Sequence, residues 1–302
     1  MKPKMLLFGG FGWSASSPLV YTLQRNAKYA HFGYTKAFEY LIPKEENLYL
    51  EFYHGLCDGT WENYKSEEPG THRMNLSVDM QPLHDFSLSH IKKLVEGERT
   101  EKKLIDFYHA LHDHVITKGY KSVGDYYLAG RGHTVDKNKF HQLLMSEFDI
   151  RVLVIVRDPV RRTFSRYLNK LQEGLSDQPL ELIVKNHAKK INNLYKTFGK
   201  DRTHVTVMEE LWEGDGTAKK ELSQFLDHPI TNLWKNLYAP DRGHLVEFDK
   251  DVPCQAFGQD LLKLTPEIYY HYRKKYDHVY QTWKQEFGSL PLHWGEPIEY
   301  KA

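Results

Sequence analysis

The stretch Ile150–Val156, IRVLVIV, constrains the fold more than any other part of the chain. Six of its seven residues are apolar and five are β-branched. A strand apolar on both faces has to be covered on both faces, which is how the central strands of parallel sheets read. It passes directly into RDPVRRTFSRYLNKLQ (157–172), a helical pattern with Pro159 near its start, where proline costs little. A buried strand feeding a helix is the repeating unit of an α/β domain.

The same grammar recurs along the 302 residues. MLLF (5–8) is a second buried strand, ending in Gly9-Gly10. SSPLVYTL then opens a helix that Ser16 or Ser17 can cap, with Pro18 in its first turn. AHFGYT predicts a short strand, followed by one or two helical turns in KAFEYL. Later come a strand in KSVGDYYL, a helix in DKNKFHQLLMSEF, a helix at about Leu180–Phe198, a strand in THVTVM and a short helix in TAKKELSQFL. The stretch 265–288 predicts one long helix closed by Gly288, packing through Ile268, Tyr272, Tyr276, Val279 and Trp283. The expected fold is α/β, a three-layer α/β/α sandwich around a central, mostly parallel sheet. We expect a single domain over 1–302. Its block from about 43 to 121 is polar and turn-rich, then helical with Leu104, Tyr108, Leu111 and Val115 on one face. That block is an insertion suited to recognition.

A net charge of +1 argues against a nucleic-acid partner. No apolar run is long enough to span a membrane, and MKPKMLLFGG is too short in its apolar part for a signal peptide, so a soluble, cytoplasmic protein is expected. Cys57 and Cys254 have no metal-type spacing and imply no disulfide framework. The many rings, Tyr 20, Phe 15 and Trp 6, fit a ring-lined cleft or tyrosine-rich packing equally.

Two segments carry chemistry. In GGFGWSASS, backbone N–H groups and hydroxyls gather between a strand and a helix N-terminus, a ready anion site, although a tight turn explains the glycines as well. It contains no lysine, so the nucleoside-triphosphate pattern GxxxxGK[ST] does not fit. In the second segment Arg157 stands at the C-terminal end of a buried strand, where open α/β sheets bind ligands. Ser165, eight residues on, falls near the same helical face. An arginine fork and a hydroxyl converging on one point suit a phosphate monoester. The alternative is that Arg157 caps the sheet edge and Ser165 packs against it.

RDPVRRTFSRY resembles the 3′-phosphate-binding segment of PAPS-dependent sulfotransferases, R-[DN]-P-x-x-R-x-x-S-x-Y, where PAPS is 3′-phosphoadenosine 5′-phosphosulfate. Arg157, Asp158, Pro159, Arg162, Ser165 and Tyr167 match. Gly12, Trp13, Ser14, Ala15, Ser16 and Ser17 fall on the family's 5′-phosphosulfate loop, with Ser14 identical. HVTVMEELWEGDGTAKKELSQFLDHP resembles its strand–E-x-L–helix–F-L segment, and SVGDYYL its third strand. APDRGHL, with Arg242 and Gly243, resembles the late loop that closes over the 3′-phosphate, and also fits an exposed turn.

The resemblance implies a P-loop-like fold, PAPS as sulfonate donor, PAP (adenosine 3′,5′-bisphosphate) as product, no metal, and a hydroxyl or amine acceptor on a carbohydrate or small molecule. The family's loop lysine is replaced by Trp13, and Lys36 is the nearest substitute unless it is a solvated surface lysine. The family's glutamate base is absent, its position being Ala37, which leaves Glu39 or His133 as the base, with His54 and His72 behind them. His109, His112 and His114 in HALHDH lack a second ligand pair and read as a solvated helix surface. Two rivals remain open: a nucleoside-triphosphate-dependent kinase, and a catalytically degenerate PAP-binding protein, which Trp13 and Ala37 favour. Neither the acceptor nor the oligomeric state is specified by the sequence.

Overall fold

Five strands run parallel in one sheet: β1 (Lys4–Phe8), β2 (Tyr29–His31), β3 (Ser122–Tyr126), β4 (Asp149–Val156) and β5 (Thr203–Val207), in the order β2-β3-β1-β4-β5. They belong to a computed structural model that describes residues 2–9, 14, 16–31, 86, 90, 93, 98, 100–126, 137–172, 187–233, 252–253, 261–262, 266–292 and 294. The expected α/β class and parallel sheet are both present. β4, the apolar run, has a neighbour on each side, and Val152–Val156 are wholly or almost wholly buried. A short antiparallel pair, β6 (Val252–Pro253) and β7 (Leu261–Leu262), stands apart from the sheet.

Nine helices surround these strands among the described residues: α1 (Ser16–Ala27), α2 (Glu101–Thr117), α3 (Lys137–Glu147), α4 (Pro159–Gln172), α5 (Ala188–Phe198), α6 (Met208–Glu213), α7 (Thr217–Leu226), α8 (Pro266–Lys275) and α9 (Asp277–Phe287). Both faces of the sheet are covered, as alternation along β4 shows. A Cβ placed on Gly9 would lie 3.3 Å from Val154 and 3.4 Å from Leu194 of α5, so Val154 faces α5. Arg151 points to the other face, 5.7 Å from the ring centre of Phe225 in α7. On the first face, His141 of α3 meets Phe198 of α5 edge to face. On the second, α1 joins the segment after α7, where Asn26 Oδ1 accepts from Thr231 Oγ1 at 2.9 Å and from the Asn232 N–H at 3.3 Å.

Within the helical part of the expected insertion, α2 buries Leu104, Tyr108, Leu111 and Val115 against the core and is capped by Thr100, whose hydroxyl accepts from the Lys103 N–H. It packs on β3 and so closes the β2-to-β3 crossover. The histidines of HALHDH make local contacts: His109 stacks on Phe148 and reaches Glu147 at 3.3 Å, and His114 meets Phe86. Beneath the sheet, Lys121 Nζ donates to the carbonyls of Leu226 and Asp227, and Arg151 donates to that of Phe225. Cations on the free carbonyls at the end of α7 complement its dipole and pin it to the strands.

Three local expectations are corrected. Helix α1 already includes Ser16 and Ser17, so neither is its cap. Helix α4 starts at Pro159, which leaves Arg157 on the extended end of β4 and not on a shared helical face with Ser165. The single long helix expected at 265–288 is two helices, broken at Tyr276 (φ −110°, ψ 26°). Among the described residues no helix is long and apolar enough to cross a membrane.

His204 on β5 stacks on Phe225 at 5.1 Å, and burial pushes its imidazole down to about 4. The folded state therefore holds it neutral, while the unfolded chain takes a proton below about pH 6.5. Its contribution is complete above that value and is lost as pH falls toward 4. Relative to His204→Phe, the wild type should lose about 2 kcal/mol of unfolding free energy between about pH 7 and pH 5, measured by urea denaturation.

Candidate functional site

The sheet order places a switch point between β1 and β4. The chain leaves β1 toward β2 on one side and leaves β4 toward β5 on the other. A crevice opens where successive connections diverge in this way, at the C-terminal ends of the strands. β1 ends at Phe8 opposite Leu153, while β4 runs on to Val156, so the turn after β1 lies beside the last residues of β4. Gly9 starts that turn by donating its N–H to Leu153 O at 2.7 Å. A Cβ here would fit tightly, 3.3 Å from Val154 and 3.4 Å from Leu194, so any larger residue would have to push these side chains back.

Four of the expected site residues are buried polar groups. Ser14 and Ser16 follow β1, Arg157 follows β4, and Ser165 lies on α4. Their exposures are 0%, 4%, 5% and 1%. Among the described residues the Ser14 and Ser165 hydroxyls have no hydrogen-bond partner. Such an arrangement costs the fold, since buried polar atoms are nearly always paired. Two unsatisfied hydroxyls and a buried guanidinium are a donor set that fits an anion. Ser17 is in the first turn of α1. Gly12, Trp13, Ala15, Lys36, Glu39, His133, Arg242 and Gly243 lie outside the described residues.

The RDP turn is built around Asp158, which is fully buried. Its Oδ1 accepts from the N–H groups of Val160 and Arg161, both at 3.0 Å, capping α4. Pro159 fits the first helical position, where no N–H is needed. The same carboxylate accepts from the Tyr269 hydroxyl at 3.0 Å and the Tyr280 hydroxyl at 3.0 and 3.1 Å. Burial and the adjoining Asp158 charge push the Tyr280 hydroxyl far above its ordinary range, so it stays a donor. Arg161 lies 5.6 Å from the ring centre of Tyr269, and Arg273 lies 3.6 Å from that of Tyr280.

Glu209, at the start of α6, closes the corner. Its Oε1 accepts the Asp158 N–H at 3.1 Å, and its Oε2 accepts the indole N–H of Trp294 at 3.3 Å. Burial pushes its carboxyl up to about 7, against the pull of Arg157 and Arg161 and with a further push from Asp158. Sequence reasoning reached the strand–E-x-L pattern but gave Glu209 no role, and it passed over Tyr269 and Tyr280. The signal available was an acid directly after the VTVM strand, which a buried strand end does not carry without a partner.

No family model matches this sequence, and no curated protein matches it. Among solved structures it is similar to the crystal structure of a sulfotransferase from Alicyclobacillus acidocaldarius, at 14% identity and a TM-score of 0.52 over 98% of this chain and 100% of that one. It also matches the sulfotransferase domain from the curacin biosynthetic pathway, at 13% identity and a TM-score of 0.45 over 80% of each chain. At such identity the first likeness establishes the fold: a P-loop-like sulfotransferase fold.

Removing one tyrosine hydroxyl from Asp158 takes a neutral donor from a buried charge, worth about 1.5–3 kcal/mol. Tyr280→Phe should lower the urea unfolding free energy by about that amount. Tyr269→Phe and Tyr280→Phe should combine non-additively, because they share one acceptor.

Proposed function

We propose that the protein is a sulfotransferase that moves a sulfonate group from PAPS to a hydroxyl or amine on a carbohydrate or small molecule, releasing PAP. The observation that carries this reading is the pair of unsatisfied buried hydroxyls, Ser14 and Ser165, in a fold where Arg157 ends the strand beside the β1 turn. Gly12, Trp13, Ser14, Ala15, Ser16 and Ser17 would cradle the 5′-phosphosulfate. Arg157 and Ser165 would hold the 3′-phosphate, with Arg242 and Gly243 closing over it.

The donor supplies an activated sulfonate, and the protein supplies position and charge. The acceptor attacks sulfur in line as the bond to the departing phosphate breaks. Negative charge grows on that phosphate, and donors already aimed at it stabilise it without reorganising. The backbone N–H groups at the start of α1 are suited to that role. Lys36 would add the cation that Trp13 does not bring. His133 or Glu39 would take the acceptor proton. No metal is required by this scheme. A catalytically silent PAP-binding protein is the second reading, favoured by Trp13 in place of a loop lysine.

Thermal stabilisation by PAP, against ADP and against ATP with magnesium, tests the cofactor. At about a hundred times its dissociation constant a ligand adds roughly 2.7 kcal/mol. PAP should stabilise strongly and ADP weakly, and Arg157→Ala should erase the difference. Stabilisation by ATP with magnesium alone would overturn the reading in favour of a kinase. Ser165→Ala makes a sharper test. It removes a hydroxyl that has no partner among the described residues, so free-state stability should hold or rise, while PAP affinity falls about tenfold. Sulfonate transfer to any acceptor would exclude the silent reading.

A further inference from the structure

Three arginines, Arg157, Arg161 and Arg162, are buried at the junction of β4 and α4, and the first two act on one carboxyl. Buried cations need a compensating charge. Asp158 lies between them in sequence, but its carboxylate is taken up by two backbone N–H groups and two tyrosine hydroxyls. Glu209 is differently placed. It is 1% exposed, its Oε1 lies 4.0 Å from Arg161 Nη1 and accepts the N–H of Asp158, the residue after Arg157, and the charges of Arg157 and Arg161 pull its carboxyl down against the larger effect of burial. The Asp158 N–H and the Trp294 indole hold its two oxygens in place.

We infer that Glu209 is the resident counter-ion of Arg157 and Arg161, and that a phosphate group arriving at these arginines displaces its charge, Glu209 taking a proton from solvent as the ligand binds. This rests on the nucleotide reading of the site given above. The physical reason is crowding of like charges. A phosphate dianion and a carboxylate on the same two guanidiniums, out of water, repel each other strongly. Protonating the carboxyl removes the repulsion and leaves both arginines to the ligand. Glu209 acts here as a positioning residue: it holds the arginines in the free protein and yields them to the phosphate.

Among the described residues, the groups that act on Glu209 are Arg157 and Asp158, which follow β4, Arg161 from α4, and Trp294 from the C-terminal segment. Its neighbour Glu210 points elsewhere, accepting the Leu292 N–H. Tyr269 and Tyr280 reach the group through Asp158. Burial has already raised the Glu209 carboxyl to about 7, and the bound phosphate raises it further, by about one pH unit or more, so that it stays protonated in the complex. The sign follows from this. A carboxyl that titrates near 7 in the free protein and higher in the complex takes up a proton on binding between those two values. Affinity then falls as pH rises through that window, by at most about tenfold per pH unit.

The test is calorimetric titration of the full chain with PAP at about pH 7, 8 and 9, in two buffers of different ionisation enthalpy. This range lies above the second phosphate ionisation near 6, so the ligand itself does not titrate. Glu209→Gln keeps an acceptor for the Asp158 N–H and mimics the protonated carboxyl. The wild type should bind PAP about tenfold or more weakly at about pH 9 than at pH 7, with a buffer-dependent heat that reports proton uptake. Glu209→Gln should bind with a flat profile and no uptake, and about tenfold tighter than wild type at about pH 9. Identical profiles for the two proteins would overturn the counter-ion role while leaving the nucleotide site standing. Failure of the wild type to bind PAP at any pH would overturn both. The buffer dependence is read on the wild type alone, so absence of uptake refutes the inference even where the variant does not fold.

Discussion

The buried carboxylate of Asp158 organises this molecule. It accepts from four donors: two N–H groups that open α4 and two tyrosine hydroxyls from α8 and α9. Burying a charge costs several kcal/mol unless each lone pair is met. Here the donors are neutral, and none is a guanidinium, so the charge is stabilised without cancelling the arginines on either side of it. One residue thus ends the central strand, starts the helix behind the site and fastens the C-terminal helices to both. The strand could end elsewhere and the helix could be capped otherwise, but then the tyrosines would have nothing to hold.

Around this fixed point the protein keeps interactions that a purely structural core would discard. Ser14 and Ser165 bury hydroxyls that have no partner among the described residues, and Glu209 buries a carboxyl 4.0 Å from the Arg161 guanidinium. Each is a local cost accepted elsewhere in the fold, the usual mark of a binding site. The titrating groups also oppose one another. Glu209, raised in the fold, favours folding below its unfolded value and loses that contribution as pH rises through 7. His204, lowered in the fold, loses its contribution as pH falls toward 4. Their slopes have opposite sign over the weakly acidic range, so the overall pH dependence is flatter than either residue alone would give.

Much of the fold could be read from residues with strong local rules. IRVLVIV has to be a doubly covered strand, and TAKKELSQFL forms a helix with the predicted ends. The burial of two polar residues, Arg157 and Ser165, follows from the sheet and helix that carry them, and an arginine directly after such a strand stands where open α/β sheets place ligands. What stayed hidden is long-range. Tyr269 and Tyr280 sit eleven residues apart, nearly in line on one straight helix but about 16 Å apart along it. Helical periodicity therefore groups them on a packing stripe and cannot bring their hydroxyls together. Only the break at Tyr276 lets both reach one carboxylate, and nothing in YRKKYDH is a recognised helix breaker. Glu209 escaped for a related reason: its partners lie 51 and 85 residues away.

The break at Tyr276 also bears on the order of assembly. The sheet and its first helices can form from contacts made within the first two hundred or so residues, but the Asp158 carboxylate must wait for a hydroxyl 122 positions later in the chain. Until then a desolvated acid and its neighbouring arginines stand in a half-built wall. Helices α8 and α9 complete that wall, bringing the last two of the four donors to the Asp158 carboxylate.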